Sequence, residues 1–275
     1  MHELNFVNPQ INNIKSQELS IQVSLSGFSF LIRSSDIKKC LMFRHYSFKN
    51  SHLIDELIRK VESIIYDEDI LKNDFTSTDV YYVSQKATLI PKEFFDPNNL
   101  RSYFELNHTL AELDELHYSY ISELDAYSVF SIPNYLADTI FCIQNKAKIK
   151  HQSVKLISYA LGVNEINGIS LFIGINQDFF DMVVVEDKKL LLYNSFEYSN
   201  AMDFVYFFLY ACKQLKIDVD NQIVHALGET EQHKDVIKEL RAKVKEVVIP
   251  DVKVGSGCKN VENKQSARFY NLFLP

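Results

Sequence analysis

The chain is short of glycine: its 275 residues include seven, where average usage would give roughly nineteen. Glycine lets a loop close around a phosphate, because it tolerates positive φ and brings no side chain into the contact. None of the patterns Gly-x-Gly-x-x-Gly, Gly-x-x-x-x-Gly-Lys-Ser/Thr, His-Glu-x-x-His or Gly-x-Ser-x-Gly occurs. The common signatures of dinucleotide-binding folds, P-loop NTPases, zinc proteases and α/β-hydrolases are therefore absent, and no motif assigns a catalytic residue.

An excess of basic residues and a long apolar segment are missing as well. The 29 basic and 36 acidic residues give a net charge of −7, which repels nucleic acid and anionic lipid headgroups. The longest apolar run, Phe204 to Cys212, is well short of the ~20 residues that span a bilayer. The first residues also lack the features of an export signal. We expect a cytoplasmic protein with no nucleic-acid partner and no membrane span.

The cysteines form no recognisable framework. Cys40, Cys142, Cys212 and Cys258 are widely spaced and include no Cys-x-x-Cys pair. In a chain of this length, such spacing predicts buried or incidental thiols in a reducing compartment rather than a disulfide scaffold.

The residues that are present have the composition of a folded protein, with 47% hydrophobic and 24% charged residues. Alternating apolar and polar residues predict a β-hairpin at Leu19 to Ile32, and three strands are predicted in the second half at Ile169 to Ile175, Phe179 to Val185 and Leu190 to Phe196. In the first half, a third strand is predicted after the hairpin. A helix then follows, beginning near Ser51 in the first half and near Asn200 in the second.

Three segments carry predictions of their own. The mostly polar stretch from about Asn99 to Leu116 is expected to be helical. The helix from Asn200 to Leu215 is apolar on nearly all sides, so we expect it to lie between other elements. The segment from Pro250 to Pro275 has no clear period and is predicted to be irregular.

The order of predicted elements is the same in both halves: three strands, a helix, a strand, a helix and a strand. Equivalent elements are similarly spaced, since the positions of Leu19 and Gly168 and those of Ser51 and Asn200 both differ by 149. This pattern predicts an N-terminal tail over 1–17 and two duplicated α/β domains, over 18–165 and 166–275, with a cleft between them.

Two βββαβαβ units resemble the fold shared by actin, sugar kinases and the large heat-shock chaperone ATPase, of the ribonuclease H-like class. The run from Ser199 to Phe207, after strands ending in Tyr193-Asn194-Ser195-Phe196, resembles actin-like pilus-assembly proteins. Over roughly Leu19 to Ile249 the chain is similar to an uncharacterised bacterial family, a domain of unknown function with an actin-like ATPase fold.

That resemblance implies a nucleotide site with an Asp-x-Gly sequence near the first turn of each half, where aspartates hold Mg²⁺ or water and glycine amides meet phosphates. Here Ser24 stands in the place of the first aspartate. Asn176, Gln177 and Asp178 replace glycines in the second hairpin, and one glycine, Gly228, remains at the adenosine turn. The positions that would contact a nucleotide are Ser24, Ser26, Gly27, Asn176, Gln177 and Gly228.

These replacements favour a degenerate, non-catalytic actin-like protein that binds a protein partner and has no cofactor. The alternative is an ATPase or kinase-like protein that binds ATP through atypical phosphate loops, with the hydroxyls of Ser24, Ser26 and Ser29 meeting an oxyanion. Whether the protein is an enzyme is left open, with the replaced phosphate loops favouring the non-catalytic hypothesis.

Other candidate sites are weaker than the hairpins. His108 and His117 lie among acidic residues but nine positions apart, so we expect no metal site. The acidic groups at 66–69 and at Asp178 with Asp181 are typical of turns rather than of acid–base pairs. The segment Gly255 to Lys259 is predicted to be a loop. An aromatic interaction patch could lie on the helix from Asn200 or on Phe269 to Leu274.

Overall fold

The computed structural model describes residues 4–7, 14–36, 39–48, 53–163, 168–252 and 263–274, and their strands form three sheets. The first sheet contains β1 (Leu4–Val7), β2 (Gln17–Ser24), β3 (Gly27–Ser34), β4 (Cys40–Ser47), β5 (Ser77–Tyr82) and β9 (Lys148–His151). The second contains β10 (Ile169–Ile175), β11 (Phe179–Glu186), β12 (Lys189–Glu197), β13 (Ile223–Gly228) and β14 (Glu246–Val248). A small third sheet contains β6 (Ala87–Pro91), β7 (Asp114–Ile121) and β8 (Ala126–Pro133).

The two large sheets share one strand order. The first runs β1-β4-β3-β2-β5-β9 and the second β12-β11-β10-β13-β14. In each, an antiparallel three-stranded meander is extended by two parallel strands, which pair beside the first strand of the meander. Both halves therefore have the predicted succession of strands and helices, with β1 added at one edge.

The helices of the described residues separate the sheets into layers. They are α1 (Ile54–Asp67), α2 (Leu100–Phe104), α3 (Asn134–Ile143), α4 (Ser153–Val163), α5 (Ala201–Gln214), α6 (Lys234–Arg241), α7 (Asn263–Arg268) and α8 (Tyr270–Phe273). Helices α1 and α3 cover one face of the first sheet, and α5 and α6 cover one face of the second. Between the two sheets lie α4, α7 and α8. None of the helices in the described segments has the length and apolar character needed to cross a bilayer.

The predicted helix over Asn99–Leu116 is wrong. Only Leu100–Phe104 is helical there, and Asp114–Ile121 is strand β7, which pairs with β8. The side chains of Tyr118 and Tyr120 alternate with those of the buried Ser119 and Ile121, so the segment has the two-residue period of a strand. The small sheet is an insertion between β5 and α3.

The prediction that α5 is enclosed on all sides is also wrong. Phe204 and Phe208 are buried against the second sheet, but Met202, Tyr206 and Tyr210 are 63%, 63% and 50% exposed. The outer face of this helix is apolar and accessible, because hydrophobic composition alone does not distinguish the buried face from the exposed one.

In the described part of the segment predicted to be irregular, residues 263–268 and 270–273 form the short helices α7 and α8, so the prediction is wrong there. Residues 269–274 are buried between the sheets, where the Phe269 ring lies 5.0 Å from the Phe43 ring and 4.8 Å from the His45 ring. Arg33 donates a hydrogen bond to the Leu272 carbonyl oxygen. The hypothesis of an exposed aromatic patch over Phe269 to Leu274 is therefore wrong, since these side chains belong to the core.

The cysteines differ from each other in their state. Cys142 and Cys212 are free, whereas Cys40 is disulfide-bonded. Cys258 lies outside the described residues, as do Ser51 and the segment Gly255 to Lys259. The prediction of unpaired thiols is wrong for Cys40, and the cysteines give no argument for a reducing compartment.

Candidate functional site

A cleft opens between the turns of the two hairpins. Its cavity volume is about 350 Å³, within the size range of ligand pockets. The turn after β2 forms one side and the turn after β10 the other, while the start of α1 and the small sheet complete the wall. Of the six predicted positions, the structure brings Ser24, Ser26, Asn176 and Gln177 together in this lining.

The first hairpin presents hydroxyls that are already hydrogen-bonded. Ser24 pairs with Gly27 across a two-residue turn formed by Leu25 and Ser26. The Ser24 and Ser26 hydroxyl oxygens share a hydrogen bond at 2.9 Å, and Ser24 also donates to the Gly27 carbonyl oxygen at 3.2 Å. These local bonds fix the turn and leave little donor capacity for a ligand.

The second hairpin turn is built from side chains where a phosphate loop would have glycines. Asn176 donates through its backbone N–H to the Phe179 carbonyl oxygen at 2.9 Å and through its amide to the Gly174 carbonyl oxygen at 3.3 Å. Tyr198 donates its hydroxyl to the Asn176 carbonyl oxygen at 2.6 Å. Asp178, at the tip, is exposed toward the cleft. The turn is rigid and carries a negative charge.

Gly27 and Gly228 lie outside the lining, and close packing explains both. A Cβ atom at Gly27 would lie 2.6 Å from the Tyr46 carbonyl oxygen, on neighbouring strand β4. Gly228 has φ +85°, and a Cβ atom there would lie 2.2 Å from the Ile175 carbonyl oxygen. Each glycine lets two backbone segments approach closely, so neither needs a ligand to account for it.

Glu229, immediately after β13, places a carboxylate behind the first hairpin. Its side chain is 12% exposed, hydrogen-bonded to Ser26, and lies 3.7 Å from the Arg268 guanidinium. Burial opposes its charge, but hydrogen bonds from His233 and Ser26 and the charge of Arg268 outweigh burial and lower the Glu229 pKa below its ordinary value. Glu229 therefore keeps a negative charge beside the first hairpin. In an ATPase of this fold, that hairpin would supply backbone amides that bind phosphate.

The lining of the cleft is acidic at its polar positions. It includes three carboxylates, from Asp114, Asp178 and Glu197, and among the described lining residues Lys86 is the one cation. Lys86 donates to the Thr109 carbonyl oxygen at 3.4 Å. No ion pair joins any of the three carboxylates to another described residue. This charge disfavours a polyanion such as a nucleoside triphosphate.

Part of the wall is apolar. Leu25, Ile54, Val83 and Phe179 line the cleft, and Ile54 is 38% exposed at its edge. The Ser84 hydroxyl oxygen is also buried in this wall and has no hydrogen-bond partner among the described residues. The combination of apolar surface with a few polar groups is that of a binding site rather than of a solvated gap.

Below the cleft, a buried carboxylate joins the two halves of the chain. Asp181 on β11 is fully buried and accepts hydrogen bonds from the Gln152 amide at 3.1 Å and the Tyr193 hydroxyl at 3.2 Å. Ser195 donates to the same carboxylate. Burial raises the pKa of Asp181 to about 6, although these hydrogen bonds act in the opposite direction. We call this network, with the C-terminal segment α7–α8 beside it, the floor of the cleft.

The remaining candidates do not form sites. His108 and His117 lie apart: His108 contacts the Ala87 carbonyl oxygen, and His117 contacts Glu115 at 2.5 Å. The described residues contain no group of three or more histidine, cysteine or carboxylate side chains able to hold a metal ion. Asp178 and Asp181 point to different surroundings, since one is exposed and the other fully buried.

Sequence reasoning missed Glu229 and underestimated Asp181. A signal existed for Glu229, because an acidic residue directly follows the glycine at the predicted adenosine turn. No local signal existed for the role of Asp181, since its partners Gln152 and Tyr193 come from distant segments.

The structure is similar to solved structures of actin-like proteins. A Bacteroides thetaiotaomicron protein with an actin-like ATPase fold and unknown function is 24% identical; the match covers 85% of this chain and 90% of that one, with a TM-score of 0.77. The PilM-PilN type IV pilus biogenesis complex is 12% identical, with 94% and 98% covered and a TM-score of 0.60. The ethanolamine utilization protein EutJ from Carboxydothermus hydrogenoformans is 9% identical, with 98% and 92% covered and a TM-score of 0.51.

The sequence comparisons identify a family without a known activity. A search of curated proteins finds no significant match. The model of the family described as protein of unknown function (DUF3822) matches residues 8–247. The strand order, the cleft and the similar structures together give the fold, and the family model covers most of the sequence; the chain belongs to the DUF3822 family and has an actin-like ATPase fold.

Proposed function

We propose that this protein is a non-catalytic actin-like protein whose cleft holds a segment of a protein partner. The observation that carries this proposal is the lining between the two hairpin turns, which offers three carboxylates and an apolar wall where an ATPase of this fold needs phosphate-binding loops. The hydroxyls of Ser24 and Ser26 bond to each other and to the hairpin backbone. Little is left there to bind an oxyanion.

A protein partner is supported by the character of the wall. Exposed apolar surface in a rimmed cleft is typical of protein–protein interfaces. One of the similar structures, of the same fold, is a complex of PilM with PilN. The similarity is 12% in sequence, so it supports the capacity of the fold for such a role and does not identify a partner.

The second candidate function is binding of ATP through atypical phosphate loops. The cavity has the size for a small ligand and includes the hydroxyls of two serines. The charges at Asp114, Asp178 and Glu197 oppose this function, because these carboxylates line the cavity between the hairpins. We therefore place it second.

Site-specific photo-crosslinking in cells tests the proposal. A photoreactive phenylalanine analogue at Ile54, at the edge of the cleft, is expected to give a discrete adduct with another polypeptide. The same analogue at Tyr206, which is exposed on α5 and outside the lining, is the matched control. Adducts from Tyr206 alone, or none from Ile54, would overturn the proposal.

A further inference from the structure

The charged residues that line the cleft indicate which chemical groups a bound partner segment would carry. The proposed function leaves those groups open. Asp114 belongs to the small sheet, whereas Asp178 and Glu197 belong to the second large sheet. The carboxylates therefore approach the cavity from two of its walls. An occupant seated between these walls would lie against negative charge from both.

These carboxylates are only partly satisfied within the protein. Asp114 accepts a hydrogen bond from Ser131 at 3.0 Å, and the Gln85 amide, oriented so that both of its polar atoms are paired, donates to Glu197 at 2.7 Å. Asp178 has no side-chain hydrogen bond or ion pair among the described residues. Neutral hydrogen bonds leave the charges themselves uncompensated.

A partner segment that fills the cleft would change the electrostatic free energy of these carboxylates. The apolar wall of Leu25, Ile54, Val83 and Phe179 favours an apolar occupant. Such an occupant excludes water from the nearby carboxylates, and desolvating an unpaired charge costs several kcal/mol. An acidic occupant would add repulsion, while a cationic group would compensate the charge and steer association.

We infer that the cleft recognises a partner segment in which a lysine or arginine is flanked by apolar residues, the cation lying between Asp178 and the neighbouring carboxylates. The inference rests on the proposed function, because it names the partner chemistry of that same cleft. The Ser84 hydroxyl, buried in the same wall and without a hydrogen-bond partner among the described residues, is one further polar group at this site.

Selection of random peptides displayed on phage, with the full chain as target, tests this inference. We expect the selected peptides to carry a lysine or arginine between apolar residues. Asp178→Asn and Glu197→Gln, which remove charge and keep shape, are each expected to weaken binding about three- to ten-fold. The matched control is Asp220→Asn, at an exposed acidic residue outside the lining.

A double-mutant cycle tests whether the peptide cation interacts with Asp178. Replacing the peptide cation by glutamine should weaken binding to the wild type but add little once Asp178 is asparagine. Peptides that lose binding to Ile54→Arg yet show no preference for a cation would overturn the inference and leave the proposed function standing. Peptides unaffected by Ile54→Arg, or no peptide at all, would overturn both.

Discussion

The cleft and its floor lie at the same interface between the two halves of the chain, yet their polar groups differ in burial and in hydrogen bonding. In the floor, Asp181 is fully buried and accepts hydrogen bonds from partners in both halves, including Gln152 and Tyr193. In the cleft, Asp178 and Glu197 are exposed and form no ion pair with any residue that the structure describes. The floor stabilises the fold, whereas the cleft retains unpaired charge and apolar surface that an occupant can use.

Residues also differ in how strongly close packing restricts them. Two of the glycines, Gly27 and Gly228, are required by close contacts with backbone atoms, as at Gly228 against Ile175. The positions facing the cavity have no such requirement and carry larger, charged or amide side chains. Substitutions should therefore separate into those that destabilise the protein and those that leave it folded.

The largest loss of stability is expected for Phe269→Ala in the floor. The Phe269 side chain is 1% exposed and contacts the rings of Phe43 and His45. Removing a buried phenylalanine ring typically lowers the free energy of unfolding by about 3–5 kcal/mol. Urea denaturation measures the loss. Tyr206→Ala, at a ring that is 63% exposed, is the control and should change stability by less than ~0.5 kcal/mol.

Gly228→Ala is expected to cost about 2 kcal/mol or more. The positive φ strains any L-residue, and the new Cβ atom would meet the Ile175 backbone, which cannot move as a side chain can. Gly162→Ala is the matched control, since a Cβ atom there meets nothing within 4 Å. Because Gly162 lies in α4, that change should stabilise by about 0.5–1 kcal/mol. If Gly228→Ala and Gly162→Ala changed the midpoint temperature of thermal unfolding equally, the packing role of Gly228 would be contradicted.

A smaller, pH-dependent effect is expected from Asp181. Its pKa in the folded protein, about 6, is above the ordinary value of 3.8. The folded state therefore binds the proton more tightly, so this group favours folding below pH 4 and loses that contribution as the pH rises through 6. From pH 7 to pH 4, the free energy of unfolding of the wild type should rise by about 2–3 kcal/mol relative to that of Asp181→Asn. A constant difference across this range would show that Asp181 does not titrate as described.

The smallest effects on stability are expected in the cleft. Asp178→Asn removes an exposed charge without an ion-pair partner among the described residues, and the free energy of unfolding should change by less than ~0.5 kcal/mol. Chemical denaturation of Asp178→Asn and Asp181→Asn side by side at pH 4, where the stabilising contribution of Asp181 is present, compares the two regions directly. If the two variants lost stability equally, the distinction between cleft and floor would be wrong.

Much of the fold could be predicted from the sequence because its hairpins alternate regularly. The residues of β2 and β3 carry a two-residue period interrupted at Ser26-Gly27, and the structure confirms that hairpin. The error at Asn99–Leu116 arose because polar residues obscured the change from the one-turn helix α2 to strand β7. Tertiary pairing with β8, not local propensity, decides that segment.

The position of the candidate site could be predicted from the sequence, but the contacts that surround it could not. The sequence placed Ser24 and Asn176 at the two turns, and the structure brings them into one lining. The approach of Glu229 to Ser26 and the insertion of Phe269 between the sheets depend on long-range packing, which has no local period in the sequence.

Thermal unfolding with and without Mg²⁺ and ATP tests the central claim most directly. A nucleotide at 100 times its dissociation constant would stabilise the protein by about 2.7 kcal/mol. We predict no shift at millimolar nucleotide, because the carboxylates of Asp114, Asp178 and Glu197 line the cavity between the hairpins. A saturable increase in the unfolding temperature that Ser24→Ala or Asn176→Asp abolishes would contradict the claim and show that the cleft is still a nucleotide site.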